Sequence, residues 1–124
     1  MKRVLIVEDQ TDIRKLIRMT LEFEDYEIHE AADGSAGLHA ARQIRPDLVL
    51  LDVMMPGELD GLQVCQRIRN DATLSATKVV LLTARGQVRD RAAGQAAGAN
   101  DYLVKPFSPL QLIDVIERHM DTTA

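Results

Sequence analysis

Cysteine is nearly absent from this chain of 124 residues, since Cys65 is the only one. A single thiol forms no internal disulfide, and no cluster of cysteine and histidine has the spacing of zinc ligands. The sequence therefore excludes a disulfide-stabilised fold and a structural zinc site, and it is typical of a reducing compartment. We interpret Cys65 itself as a core residue rather than a reactive one.

Long hydrophobic runs are also missing, although 46% of the residues are hydrophobic. No apolar stretch approaches the ~20 residues that a membrane-spanning helix needs. The apolar run at residues 4–7 is too short for the core of a signal peptide. We therefore expect no membrane insertion and a cytoplasmic location.

The chain has no run of basic residues either. Its formal net charge is -4, and its 15 lysines and arginines are spread along the sequence. We therefore expect no direct contact with nucleic acid. No internal repeat, low-complexity segment or linker interrupts the chain, which predicts a single domain over residues 1–124.

Three short segments, 4–7, 48–51 and 79–82, are apolar at every position. A strand with this pattern is buried on both faces, which is typical of a parallel sheet between two layers of helices. Strands are predicted at 2–7, 27–30, 48–52, 79–82 and 101–104, and helices at 11–22, 35–45, 61–70, 86–98 and 109–120. This alternation predicts an α/β fold, a flavodoxin-like doubly wound sheet of five parallel strands in the order 2-1-3-4-5 with five helices on both faces.

The helices differ in how well their apolar residues are placed. The stripe of the first helix includes Leu16, whereas the last helix leaves Leu110 and Val115 outside its inner stripe, which suggests a partner-facing patch. Segment 86–98 is rich in alanine and glycine, with Gly94 in its middle, and predicts only a marginal helix.

Polar side chains stand where four of the predicted strands end. Glu8 and Asp9 follow the first strand, Asp52 ends the third, Thr83 follows the fourth and Lys105 follows the fifth. The carboxyl ends of the strands are where ligands bind in doubly wound sheets. Three carboxylates repel one another unless a cation is present, and hard oxygen ligands select Mg²⁺. A metal and an ammonium beside one carboxylate would stabilise phosphoryl transfer to that carboxylate.

The chain resembles a response-regulator receiver domain of two-component phosphorelay signalling over essentially its whole length. The matching motifs are Val7-Glu8-Asp9, the segment from Pro46 to Gly57 around Asp52, Asp60-Gly61, Leu82-Thr83-Ala84, and the segment from Gly98 to Phe107. Each motif alone is weak, whereas five motifs in the correct order are specific. Because the sequence runs from Met1 to Ala124 without a linker, we expect a stand-alone receiver.

This resemblance implies that Asp52 accepts a phosphoryl group from a phosphohistidine on a sensor histidine kinase or a phosphotransfer protein. Asp9, Asp52 and the backbone carbonyl of Met54 would hold Mg²⁺ (or Mn²⁺), and Glu8 would act on the metal through water. The receiver would catalyse only its own phosphorylation and dephosphorylation, and it would turn over no separate substrate.

The resemblance also implies a conformational switch. Thr83 and Lys105 would contact the phosphoryl oxygens, and Tyr102 would change rotamer as Thr83 moves. The changed surface would bind a downstream protein target or a separate output domain, or it would form a phosphorylation-dependent dimer. The family usually has a cis peptide bond at this position, so Lys105-Pro106 is expected to be cis.

Two segments depart from the family pattern. The loop after the third strand contains Glu58-Leu59 where the family commonly has one residue, so this loop is expected to be one residue longer. The weak helix at 86–98 is the second departure, and it affects the predicted output surface. Met54 and Arg85 stand at positions that tune dephosphorylation in the family.

Other interpretations of these residues remain open. A phosphatase of the haloacid-dehalogenase kind also uses a strand-end aspartate and Mg²⁺, but it needs a second aspartate where this chain has Met54. A receiver-shaped interaction module that is never phosphorylated is the third alternative. Among single residues, Glu8 is alternatively a surface acid, Thr83 a helix cap and Tyr102 ordinary strand packing.

Overall fold

The computed structural model describes residues 1–84 and 88–120, and the side chains of all of these except residues 88–91. Its elements are β1 (Lys2–Val7), α1 (Thr11–Leu21), β2 (Tyr26–Ala31), α2 (Gly34–Ile44), β3 (Leu48–Asp52), α3 (Gly61–Arg69), β4 (Lys78–Ala84), α4 (Val88–Ala97), β5 (Asp101–Lys105) and α5 (Pro109–Met120). A short 3-10 turn at Ala72–Leu74, which the sequence pattern did not predict, precedes β4.

Within this described part, the strands form one sheet in the order β2-β1-β3-β4-β5, and every neighbouring pair is parallel. The predicted flavodoxin-like, doubly wound topology is therefore confirmed. The central strands are uniformly apolar at residues 4–7, 48–51 and 79–82 because both of their faces are covered there. Successive side chains of β3 point to opposite faces, so Val49 and Leu51 join one core cluster and Leu48 and Leu50 join the other.

The two core clusters lie on opposite faces of the sheet. On one face α2 and α3 cover the sheet with Leu38, Val64 and Ile68. On the other face α1 and α5 cover it with residues such as Ile17 and Ile116. None of the described helices is long and apolar enough to cross a membrane.

Polar caps fix where two helices begin. The Asp33 carboxylate accepts a hydrogen bond from the Ala36 backbone at 2.8 Å and caps α2. At α3, Asp60 and Gln63 form a reciprocal capping box with two hydrogen bonds of 2.9 Å. Such pairs satisfy backbone donors that have no partner within the helix, so the predicted cap at Asp60 is confirmed.

Hydrogen bonds connect the chain segments at the edge of the sheet where the strands begin, which we call the amino edge. The backbone N–H of Arg3 donates to Asp47 Oδ2 at 2.8 Å, and the Arg3 guanidinium donates to the Ile44 carbonyl at 2.8 Å. The buried Thr77 hydroxyl donates to the Pro46 carbonyl at 2.7 Å. These contacts join the ends of α2, β1, β3 and β4.

Two expectations about helix faces are wrong. Leu16 was placed in the buried stripe of α1, but its side chain is 42% exposed. Val115 was placed outside the inner stripe of α5, but it is buried in the core on that face, whereas Leu110 is 77% exposed as expected. The inner stripe of α5 is therefore wider than its sequence spacing indicates, since α5 packs against the sheet and also contacts α1.

Helix α4 forms despite its poor helix-forming composition, and its packing against the sheet explains why a glycine stands at position 94. A Cβ atom at Gly94 would lie 2.7 Å from Leu81 Cδ1 and 2.7 Å from Tyr102 Cε1. The glycine that weakens the helix by propensity is therefore required by the close approach of α4 to the sheet. The start of the predicted segment, residues 86 and 87, lies outside the described residues.

Cys65 lies in the core, as the sequence predicted. Its side chain is fully buried in α3, and its Sγ contacts the Ala97 carbonyl of α4 at 3.5 Å. Burial raises the pKa of the thiol to about 11. A thiol in this state is a weak nucleophile at neutral pH.

Candidate functional site

The ends of β1 and β3 bring three carboxylates together. Glu8, Asp9 and Asp52 each offer an oxygen, and these oxygens lie within 4.8 Å of one another. Glu8 is fully buried and Asp52 is 4% exposed. The alternative that Glu8 is a surface acid is therefore wrong, and the sheet topology alone accounts for the convergence of the three side chains.

Lys105 supplies the positive charge of the cluster. Its Nζ lies 3.0 Å from Glu8 Oε2 and 3.2 Å from Asp52 Oδ1, and its side chain is 19% exposed. The Lys105-Pro106 peptide bond is cis, as the resemblance implied. The sequence predicts Lys105 beside one carboxylate and the phosphoryl group, and its contact with Glu8 is an additional finding.

The electrostatics of the site are unfavourable without a further cation. Burial and, second, the neighbouring Glu8 carboxylate raise the pKa of Asp52 to about 7, although Lys105 acts in the opposite direction. Among the described residues, none donates a hydrogen bond to the buried Asp9 Oδ1, and Glu8 Oε2 faces Lys105 Nζ at 3.0 Å. Buried acceptors of this kind are normally satisfied.

This donor set fits a divalent metal ion such as Mg²⁺. Three carboxylates in reach of one another supply the hard oxygen ligands that Mg²⁺ prefers. The buried Asp9 oxygen without a hydrogen bond is available to such an ion. Met54 lies two residues after Asp52, and its backbone N–H donates to Asp52 Oδ1 at 3.3 Å.

Thr83 and Tyr102 lie on the strands next to Asp52. In the register of the sheet Asp52 pairs with Leu82, so Thr83 stands one position beyond it at the carboxyl edge. Thr83 is buried, and it pairs with Val104 on the neighbouring strand β5, one residue before Lys105. The structure therefore places Thr83 at the same edge as the acids and Lys105.

Tyr102 lies further from that edge. It pairs with Leu81, and its partly buried ring packs against the α2–α3 core cluster beside Gly94 of α4. The ring thus joins β5 to α4, which the sequence did not reveal, because the close approach at Gly94 is a tertiary contact. Arg85, which was predicted to tune dephosphorylation, lies outside the described residues.

A doubly wound sheet whose carboxyl edge holds three acids and a lysine belongs to the class of α/β domains that bind ligands at this edge. The family comparison narrows this class, because residues 4–117 match the model described as "Response regulator receiver domain". The chain belongs to this family, the receiver domains of two-component signalling systems.

Curated relatives and solved structures agree with the family. The chain is 44% identical over 111 residues to the transcriptional regulatory protein ResD of Bacillus subtilis (strain 168), a match that covers 90% of this chain and 45% of the relative. It is 47% identical over 111 residues to the probable transcriptional regulator ycf27 of Guillardia theta, covering 90% of this chain and 42% of the relative. The chain therefore spans less than half the length of these relatives.

Among solved structures, the Vibrio cholerae chemotaxis response regulator CheY4 is similar, with a TM-score of 0.90 at 33% identity, and the match covers 97% of this chain and 99% of that chain. A response regulator structure from Chloroflexus aurantiacus gives a TM-score of 0.90 at 34% identity, covering 95% of this chain and 96% of that chain. The fold is thus shared with complete chains of similar size and with parts of longer regulators.

Proposed function

We propose that Asp52 is the phosphoacceptor of this receiver and takes its phosphoryl group from a phosphohistidine on a sensor histidine kinase or phosphotransfer protein. A carboxylate oxygen of Asp52 attacks the phosphorus, the P–N bond breaks, and the imidazole leaves with its electron pair. The observation that carries this proposal is the convergence of Lys105 and two further acids on the buried Asp52 carboxylate.

The other site residues divide the remaining work. Asp9, Asp52 and the carbonyl of Met54 would hold Mg²⁺ or Mn²⁺, and Glu8 would act on the metal through water. A bound metal neutralises negative charge on the phosphoryl oxygens. Lys105 gives up part of its interaction with Asp52 and forms a new one with a phosphoryl oxygen.

Thr83 and Tyr102 form the proposed switch. The Thr83 hydroxyl donates to a phosphoryl oxygen, and its displacement shifts the Tyr102 ring against α4. Phosphorylation thereby changes the affinity of the α4–β5 region for a partner. This partner is a downstream protein target, an output domain or a second phosphorylated copy. The receiver acts in the cytoplasm, turns over no separate substrate, and does not itself bind nucleic acid.

The proposal is tested by incubating the full chain with Mg²⁺ and a small acyl phosphate and measuring its intact mass. We expect one phosphoryl adduct on the wild type and none on Asp52→Asn. Asp47→Asn, at the opposite edge of the sheet, is the matched control and should form the adduct.

A wild-type chain that forms no adduct would support the unphosphorylated interaction module instead. Sustained turnover of phosphate monoesters that Asp52→Asn abolishes would support the phosphatase. The phosphatase alternative has little support, because the second acid that it needs is replaced by Met54, which is 68% exposed.

A further inference from the structure

The loop between β3 and α3, residues 53–60, is attached to the body of the protein at its two ends. Met55 is 8% exposed and belongs to the core cluster under α2 and α3, and the partly buried Leu59 packs against the same cluster. Residues 56–58, between them, are exposed. The path of this loop therefore depends on how these two residues are seated.

The backbone of Leu59 lies directly against the first residue of α2. A Cβ atom at Gly34 would stand 2.2 Å from the Leu59 carbonyl oxygen and 3.0 Å from its carbonyl carbon. These atoms are backbone, so they cannot move aside as a flexible side chain would. Only glycine leaves enough room at this position for the loop in its present path.

Away from this contact the two segments separate. An open cavity of about 440 Å³ lies between residues 32–35 and residues 56–58. Gly57, at the tip of the loop, has a positive φ of 106° and open space around its Cα. The contact between Gly34 and Leu59 is therefore where the loop meets α2, while the tip stands apart.

This contact lies in the same short loop as Met54. β3 fixes the chain up to Asp52 and the capping box fixes it from Asp60 onward, so Met55 and Leu59 together determine the path of the residues between these two points. The exposed residues 56–58 lie between these points, so the loop has several possible paths. A close backbone contact reduces that number.

We propose that Gly34 is a positioning residue for the metal site, since it allows Leu59 to seat against α2 and thereby fixes the loop that carries the Met54 carbonyl. The inference rests on the proposed function, which assigns that carbonyl to the metal. Residues outside the ligand set that orient ligands typically alter metal affinity on the order of tenfold or more when they are changed.

The test is the affinity of the full chain for Mg²⁺, measured by titration calorimetry. Gly34→Ala should weaken Mg²⁺ binding by about tenfold, and it should slow adduct formation at low Mg²⁺ but not at saturating Mg²⁺. Ser35→Ala, an exposed neighbour in the same turn, is the control and should bind like the wild type. A Gly34→Ala protein of reduced stability with unchanged Mg²⁺ affinity would mean that the contact is merely structural.

Leu59→Ala tests the other side of the contact if Gly34→Ala does not fold. It leaves Gly34 intact and removes the side chain that seats the loop, so it should also weaken Mg²⁺ binding. Wild-type affinity in Leu59→Ala would overturn the positioning role while leaving the proposed function in place. A wild-type protein that binds no Mg²⁺ would overturn both.

Discussion

The two edges of the central sheet are built from the same strands but differ in their polar chemistry. At the amino edge, Thr77 and Arg3 donate hydrogen bonds to the carbonyls of Pro46 and Ile44, and Asp47 accepts one from the Arg3 backbone. Each of these groups has a partner inside the protein. This edge contributes to stability and carries no predicted chemistry.

At the carboxyl edge, acids are buried without enough partners. Asp9 Oδ1 accepts no hydrogen bond from any residue that the structure describes, Glu8 is fully buried, and Lys105 faces both Glu8 and Asp52. A functional site often retains interactions that lower stability. The effects of substitutions at the carboxyl edge on stability should therefore depend on pH and Mg²⁺, whereas those at the amino edge should depend on neither.

The largest loss of stability should come from removing the positive charge of Lys105. Lys105→Met leaves Glu8 and Asp52 without their charge partner, and we expect a loss of about 3 kcal/mol in the free energy of unfolding in EDTA near neutral pH. Urea unfolding measures it, and added Mg²⁺ should restore part of the loss. Lys105→Arg retains the charge and should lose less. An equal loss in both variants would show that packing, not charge, is responsible.

Asp52→Asn should have the opposite sign. The pKa of Asp52 is about 7 in the folded protein against 3.8 for the unperturbed group, so the folded state binds more protons between these pH values. The contribution of Asp52 to the free energy of unfolding of the wild type therefore decreases as pH rises from about 4 to 7. Asp52→Asn lacks this decrease.

We expect Asp52→Asn to be more stable than the wild type by up to about 4 kcal/mol at about pH 8 without Mg²⁺, since each unit of pKa difference corresponds to about 1.4 kcal/mol. The two proteins should be nearly equal at about pH 4, where the wild-type carboxyl is protonated in the folded state. Thermal unfolding across this pH range measures the difference. A difference that does not vary with pH would contradict the assigned shift in pKa.

At the amino edge, Thr77→Val removes a buried hydroxyl and leaves the Pro46 carbonyl without its donor. We expect a loss of about 1–2 kcal/mol in the free energy of unfolding. The loss should be the same at low and high pH and with or without Mg²⁺. Thr77→Ser keeps the hydroxyl and serves as the control. A loss that added Mg²⁺ reverses would contradict the expectation that stability at the amino edge is independent of the metal.

The smallest effect is expected for Asp47→Ala, which removes the acceptor of the Arg3 backbone N–H at a partly exposed position. We expect a loss of about 1 kcal/mol, measured by urea unfolding. Asp47→Asn retains an acceptor oxygen and should be close to the wild type. If Asp47→Ala lowers the free energy of unfolding as much as Lys105→Met does, the predicted difference between the two edges is wrong.

Much of the fold was predictable because the physical signals are local. Uniformly apolar segments such as 48–51 predict strands that are buried on both faces, and a cap such as Asp60 predicts where a helix begins. Because parallel strands present their carboxyl ends at one edge, the order of the motifs was enough to predict that the acids and Lys105 meet.

The remaining features depend on contacts between distant parts of the chain. The poor helix-forming composition around Gly94 makes sense only with Tyr102 beside it, and the burial of Glu8 requires Lys105 from the far end of the sequence. The exposure of Leu16 and the burial of Val115 depend on how α1 and α5 pack together. Periodicity within one helix does not contain that information.

The single thiol also has a practical consequence. Because Cys65 is fully buried and its pKa is about 11, maleimide and other thiol reagents should leave it unmodified in the folded protein. A cysteine introduced at an exposed position of α4, such as Gln95→Cys, would then be labelled alone, without first removing the natural one. The native sequence is thus already suited to attaching one fluorophore or spin label to α4, the helix whose Gly94 lies against Tyr102, so that the motion proposed for this domain would be recorded directly.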